Sequence, residues 1–198
     1  MCAGSLFYKD EMMKNSILIG LLLFAVACSN SKQNNSESQT NSVILTDDQI
    51  LDSIQYYTFQ YFWDGAEPNS GMARERYNVD GIYPQDDKHI VTTGGSGFGL
   101  MAILVGIERE FITREEGFER FKRIVDFLEN ADCFHGIWPH WLNGKTGKVK
   151  PFSKFDDGGD IVETAFLVQG LLTVKQYFIN GNEAEQQLAQ KIDKLWRE

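Results

Sequence analysis

Residues 154–172 read KFDDGGDIVETAFLVQGLL, and the fold turns on how they are read. Four acids (Asp156, Asp157, Asp160 and Glu163) and the pair Gly158-Gly159 lead into a strongly apolar run. Glycine supplies the backbone freedom for a sharp helix start, and Asp160 is a preferred N-cap residue. From Ile161 to Val174 apolar side chains fall on nearly every face, the mark of a buried helix. Gln169, Gly170 and Lys175 interrupt the run well short of membrane-spanning length. The stretch therefore predicts a helix over 160–180, the most buried of the chain, with carboxylates at the mouth of a cleft.

Two readings of those acids stand side by side. Asp160 and Glu163 have the spacing of a capping box, in which the N3 side chain returns to the N-cap amide. They are also one helical turn apart, so both project from one face, and crowded carboxylates separate their pKa values as acid–base work requires. Asp156 and Asp157 read either as solvated loop charges or as oxygen ligands for a hard cation, although no twelve-residue calcium loop is present.

Composition narrows the function classes. The formal charge of −9 comes without any basic stripe, which argues against nucleic acid. Aromatic residues reach 13%, many of them in irregular segments, as suits stacking surfaces. Residues 17–27 form a short apolar run after Lys14 and end in Ala25-Val26-Ala27-Cys28. This is the pattern of a signal peptide over 1–27 with cleavage before a lipidated Cys28. Asp10 and Glu11 do not suit a positive leader, so Met1 to Glu11 reads as an over-extended start. Residues 28–45 follow as the lipidated cysteine and a polar, disordered tether. The expected location is the cell envelope, anchored to the membrane by lipid alone. Of three cysteines only Cys133 falls in the remaining domain, which excludes a disulfide framework or cysteine metal site there.

Over 46–198 the pattern is helical. Thr46…Gln49, Thr113…Glu116 and Asn182…Glu185 are capping boxes, and they predict helices over about 47–63, about 114–130 and from about 183. A further helix is expected over about 97–110, entered through Thr92-Thr-Gly-Gly-Ser-Gly-Phe-Gly99. That glycine run is a poor dinucleotide fingerprint, because Leu100 stands where a third glycine belongs. Residues 65–84 are a long loop carrying Glu67, Arg74, Glu75 and Arg76, read either as a solvated charge cluster or as a substrate-facing loop. Residues 131–159 hold Trp138, His140 and Trp141, then a turn at Asn143–Gly147 that predicts a short β-hairpin. The two tryptophans read as loop packing or as platforms for sugar rings. His135 and His140 lack further zinc ligands. The pattern stops mid-helix at Trp196-Arg197-Glu198, so the chain is expected to be a C-terminally truncated part of a longer domain.

Paired helices with acids and aromatics on long loops are the layout of an all-α, α/α-barrel toroid. Tyr57…Phe62-Trp63, Thr92–Gly99, Gly136-x-Trp138-Pro-His-Trp141 and Phe155-Asp-Asp-Gly-Gly-Asp-Ile-Val-Glu-Thr-Ala-Phe166 together resemble the bacterial glucoamylase-like proteins. These include the endo-β-1,2-glucanases of glycoside hydrolase family 144. The resemblance implies an (α/α)6-barrel-like toroid, here its N-terminal part of about five helices, and inverting hydrolysis of a β-glucan, β-1,2-linked, with no metal or other cofactor, by a protein that is monomeric at full length. It also implies that Asp160 and Glu163 are the catalytic acids, with a further glutamate beyond residue 198. Glycoside hydrolysis needs two carboxylates across the sugar bond, about 6.5–9.5 Å apart in inverting enzymes. Two acids from one helical turn are too close to be that whole pair. Asp156, Asp157, Trp138, His140, Trp141, Arg74 and Arg76 are the expected substrate contacts. The rival reading is a non-catalytic, surface glycan-binding lipoprotein with the same aromatic rim.

Overall fold

The computed structural model describes residues 45–197. The expected signal peptide, Cys28 and the tether up to residue 44 lie outside the described residues. Five helices and a small sheet follow in the order α1 (Asp47–Trp63), β1 (Ile90–Thr92), α2 (Thr93–Glu108), α3 (Arg114–Glu129), β2 (Trp141–Asn143), β3 (Val149–Lys150), α4 (Ile161–Phe178) and α5 (Glu183–Leu195). The described part is mostly helical, and none of the described helices is long and apolar enough to cross a membrane.

The local signals produce the helix starts. Thr46 and Gln49, Thr113 and Glu116, and Asn182 and Glu185 each form a reciprocal capping box. Each box satisfies two backbone amides that the first turn leaves without an intrahelical acceptor. The C-terminal end of α1 is closed differently. Arg120 of α3 lies over the Trp63 ring at 4.2 Å and donates to the Phe62 and Trp63 carbonyls.

α2 begins at Thr93, four residues before the expected start, so most of the glycine run lies inside the helix. The reason is packing against α4. A Cβ on Gly97 would overlap the Phe166 carbonyl, and a Cβ on Gly170 would overlap the Gly97 carbonyl. The two backbones therefore touch where neither residue has a side chain. The helices run side by side in the same direction. Their N-terminal ends meet through Gly94 and Glu163, and their C-terminal ends through Glu108, which accepts from the Tyr177 hydroxyl at 2.6 Å.

This contact also corrects the expectation that the 160–180 helix is the most buried. α2 has ten buried residues and α4 five, with Ile161, Val162 and Phe166 exposed. Apolar side chains surround α4, but among the described residues only one side of it is covered. The buried side, Leu167, Leu171, Val174 and Phe178, joins a single core with Leu100, Ile103, Phe121, Ile124 and Ile192.

The expected hairpin forms as β2 and β3. Gly147 has φ +70, and the Asn143 side chain accepts from the Lys145 and Thr146 amides. β1 adds as a third antiparallel strand, pairing Val91 with Leu142 and Thr92 with Trp141. Side chains alternate across a strand, so the buried pair Val91 and Leu142 turns into the core. Thr92 and Trp141 then share the opposite face.

Candidate functional site

That face of the sheet meets the N-terminal end of α4. Asp160 is the N-cap, and its Oδ1 accepts from the Val162 amide at 2.9 Å and the Glu163 amide at 3.0 Å. Its Oδ2 lies 2.8 Å from His140 Nδ1. Burial works to raise the Asp160 pKa. The Glu163 and Val162 amides and the His140 ring outweigh it, and the pKa falls below the ordinary carboxylate value.

Glu163 does not close the capping box that its spacing predicts. The Asp160 amide donates instead to the Trp138 carbonyl at 2.9 Å. The Glu163 carboxylate reaches across to α2, where Oε2 accepts from the Gly94 amide at 2.8 Å and the Thr92 hydroxyl at 3.2 Å. Asp160 thus caps its own helix and Glu163 the neighbouring one. A side chain at Gly94 would crowd this contact, because a Cβ would sit 2.7 Å from Glu163 Oε2 and push the carboxylate aside. The two acids stand at adjacent helix N-termini, where the helix dipoles favour negative charge.

An aromatic wall flanks them. The His140 ring lies 4.3 Å from the Phe152 ring and 5.7 Å from Trp141, and Trp141 and Phe152 are 4.8 Å apart. Phe152 was not legible as a site residue, because it lies in a loop with no periodicity. Its only signal was its place between the hairpin and the acid cluster. Trp138 is not part of this wall. It is 3% exposed and its Nε1 donates to the Leu128 carbonyl at 3.4 Å, so its ring packs in the core instead of forming the expected sugar platform.

Asp156 stands near His140 and Asp160, and Asp157 is exposed. His140, Asp156 and Asp160 each place one ligand atom within 4.8 Å of the others.

The long loop after α1 behaves differently from a solvated charge cluster. Glu67 is fully buried and accepts from the Asn69 and Ser70 amides and from the Asn69 and Ser70 side chains, with His89 Nδ1 at 3.0 Å. Burial opposes ionisation here too, but the Ser70 amide and then the His89, Asn69 and Ser70 side chains hold its pKa below the usual value. Glu67 therefore anchors the loop. Arg74 is also buried, with Nε donating to the Gly65 carbonyl at 3.0 Å. Arg76 is exposed and pairs with Glu75 and Asp87. Neither arginine contacts Asp160 or Glu163 among the described residues, so the structure does not bring them into the cluster expected of substrate contacts.

No family model matches the sequence. The chain is 53% identical over 166 residues to an exo β-1,2-glucooligosaccharide sophorohydrolase (non-reducing end) of Parabacteroides distasonis, covering 82% of this chain and 22% of that protein. The structure matches an endo-β-1,2-glucanase from Chitinophaga pinensis, solved with sophorotriose and glucose, at a TM-score of 0.76 and 65% identity. That match covers 77% of this chain and 37% of the other. A β-1,2-glucanase from Parabacteroides distasonis matches at a TM-score of 0.71 and 53% identity, over 78% of this chain and 21% of that one. The chain thus spans well under half the length of these relatives. With this identity over most of its own length, it is a homologue of the glucoamylase-like, β-1,2-glucanase family and corresponds to a portion of its longer members.

Proposed function

We propose that this chain forms part of a β-1,2-glucan hydrolase of the inverting type, with Asp160 and Glu163 as site acids at one end of an (α/α)6 barrel. One observation carries the reading. Two carboxylates from the start of α4 stand at neighbouring helix N-termini beside the His140, Trp141 and Phe152 wall. Sugar rings present apolar faces to aromatics and hydroxyls to acids, and this surface offers both. The family supports the substrate class, since relatives named for β-1,2-glucan share more than half of their aligned residues with this chain. A lipid anchor on Cys28 would place the activity at the cell envelope. Palmitate incorporation that is lost in Cys28→Ala tests the anchor.

The test of the acids is turnover of linear β-1,2-glucan, with melting temperature measured in parallel. Glu163→Gln keeps an oxygen that accepts from Gly94 and Thr92, and Asp160→Asn keeps an N-cap, so both variants should fold. General acid–base steps contribute about 10²–10⁴-fold, and losses of that order are expected in each. Wild-type turnover in both variants would reduce the acids to caps. Binding of sophorotriose without turnover by the wild type would favour the glycan-binding reading.

A further inference from the structure

We propose that Thr92 is a positioning residue for Glu163, and that Glu163 exchanges its proton with substrate or water through Oε1 alone. The inference rests on the reading of Glu163 as a site acid. Thr92 is the N-cap of α2, yet its side chain does not cap its own helix. Its hydroxyl donates to Glu163 Oε2 at 3.2 Å, beside the Gly94 amide at 2.8 Å. An amide in the first turn of a helix has no intrahelical acceptor, so Gly94 N–H needs this oxygen. Two donors occupy Oε2. Oε1 has no hydrogen-bond partner among the described residues.

Thr92 itself has little freedom. Its amide donates to the Ala73 carbonyl at 3.0 Å, and its carbonyl accepts from the Ser96 hydroxyl at 2.6 Å. Ser96 Oγ in turn accepts from the Ala73 amide at 3.0 Å. Thr92 also pairs with Trp141 across the sheet. The strand register therefore places the hydroxyl, the hydroxyl and Gly94 amide orient the carboxylate, and the carboxylate presents one fixed oxygen. The same pairing ties the orientation of Glu163 to the aromatic wall that carries Trp141.

Thr92→Val removes the O–H and keeps the β-branched shape of the strand residue, whereas Thr92→Ser keeps the O–H. In the full chain with β-1,2-glucan, Thr92→Val should lower kcat about 10- to 100-fold, the loss expected for a hydrogen bond to a charged group. KM should change little, and Thr92→Ser should hold kcat within about 3-fold of the wild type. An unchanged kcat in Thr92→Val, or an equal loss in Thr92→Ser, would overturn the proposal. The Gly94 amide proton in 1H–15N spectra reports the anchor without any turnover. It should shift in Thr92→Val and Glu163→Gln and stay in place in Thr92→Ser. A resonance unmoved in the first two variants also overturns the proposal. A wild-type chain that shows the expected Gly94 pattern but no turnover keeps the anchor and removes the hydrolase reading.

Discussion

Gly170 of α4 lies directly against the backbone carbonyl of Gly97 of α2, so the two helices touch main chain to main chain. This close approach puts the start of α4 beside the start of α2. It lets Glu163 reach Gly94 and Thr92, 69 and 71 residues away.

Gly170→Ala should therefore be costly although alanine favours helices. The added Cβ would overlap the Gly97 carbonyl, and overpacking of this kind costs roughly 1–3 kcal/mol. Gly158→Ala is the control, since a Cβ there meets nothing within 4 Å. Thermal unfolding of the two variants checks this. Equal melting temperatures would mean that the helices separate easily at this point.

Glu67 gives a pH dependence with a definite sign. Its folded pKa lies below the ordinary value, so its contribution is present above the unfolded pKa of about 4.3. That contribution is lost as pH falls through the folded pKa. Glu67→Gln should lower stability at pH 7 by roughly 1–3 kcal/mol, because the amide turns donors toward donors. Its stability should also fall less steeply in acid than that of the wild type. Denaturant melts at pH 7 and pH 3 measure both effects, and parallel curves would show that Glu67 is not the loop's anchor.

The two tryptophans should separate cleanly. Trp138 is buried, and its replacement by alanine should cost roughly 3–5 kcal/mol. Trp141 is half-buried beside His140 and Phe152, so Trp141→Ala should cost about 1 kcal/mol while weakening sophorotriose binding. Calorimetric titration with the trisaccharide is the readout. Undiminished binding by Trp141→Ala would remove the wall from the site.

Phe98 and Phe166 form a ring pair 5.2 Å apart at the boundary of α2 and α4, and both are about half exposed, with Val105, Ile161 and Val162 also exposed nearby. Large exposed apolar patches drive association. The isolated chain should self-associate and enhance the fluorescence of a hydrophobic dye. Phe98→Ser with Phe166→Ser should reduce both effects. Sedimentation of the unaltered chain as a single monomeric species without dye enhancement would contradict this.

What the sequence determined alone is what short chain separations decide. A capping box joins residues i and i+3, and amphipathic spacing repeats within a turn, so Thr46, Thr113 and Asn182 announce their helices wherever those helices pack. The Asn143–Gly147 turn carries its hairpin for the same reason. The motif around Asp160 and Glu163 predicted a helix start with carboxylates beside it, but not what the Glu163 side chain touches there. Its spacing from Asp160 satisfies a local rule, and a stronger partner, the bare N-terminus of α2, becomes available only when α2 and α4 lie side by side. The same holds for Glu67, whose burial depends on His89, 22 residues later. It holds as well for Phe152, whose place beside His140 depends on the fold of the loop. A carboxylate takes the donors that the packed backbone brings to it, and which donors those are was decided by contact between helices distant in the chain.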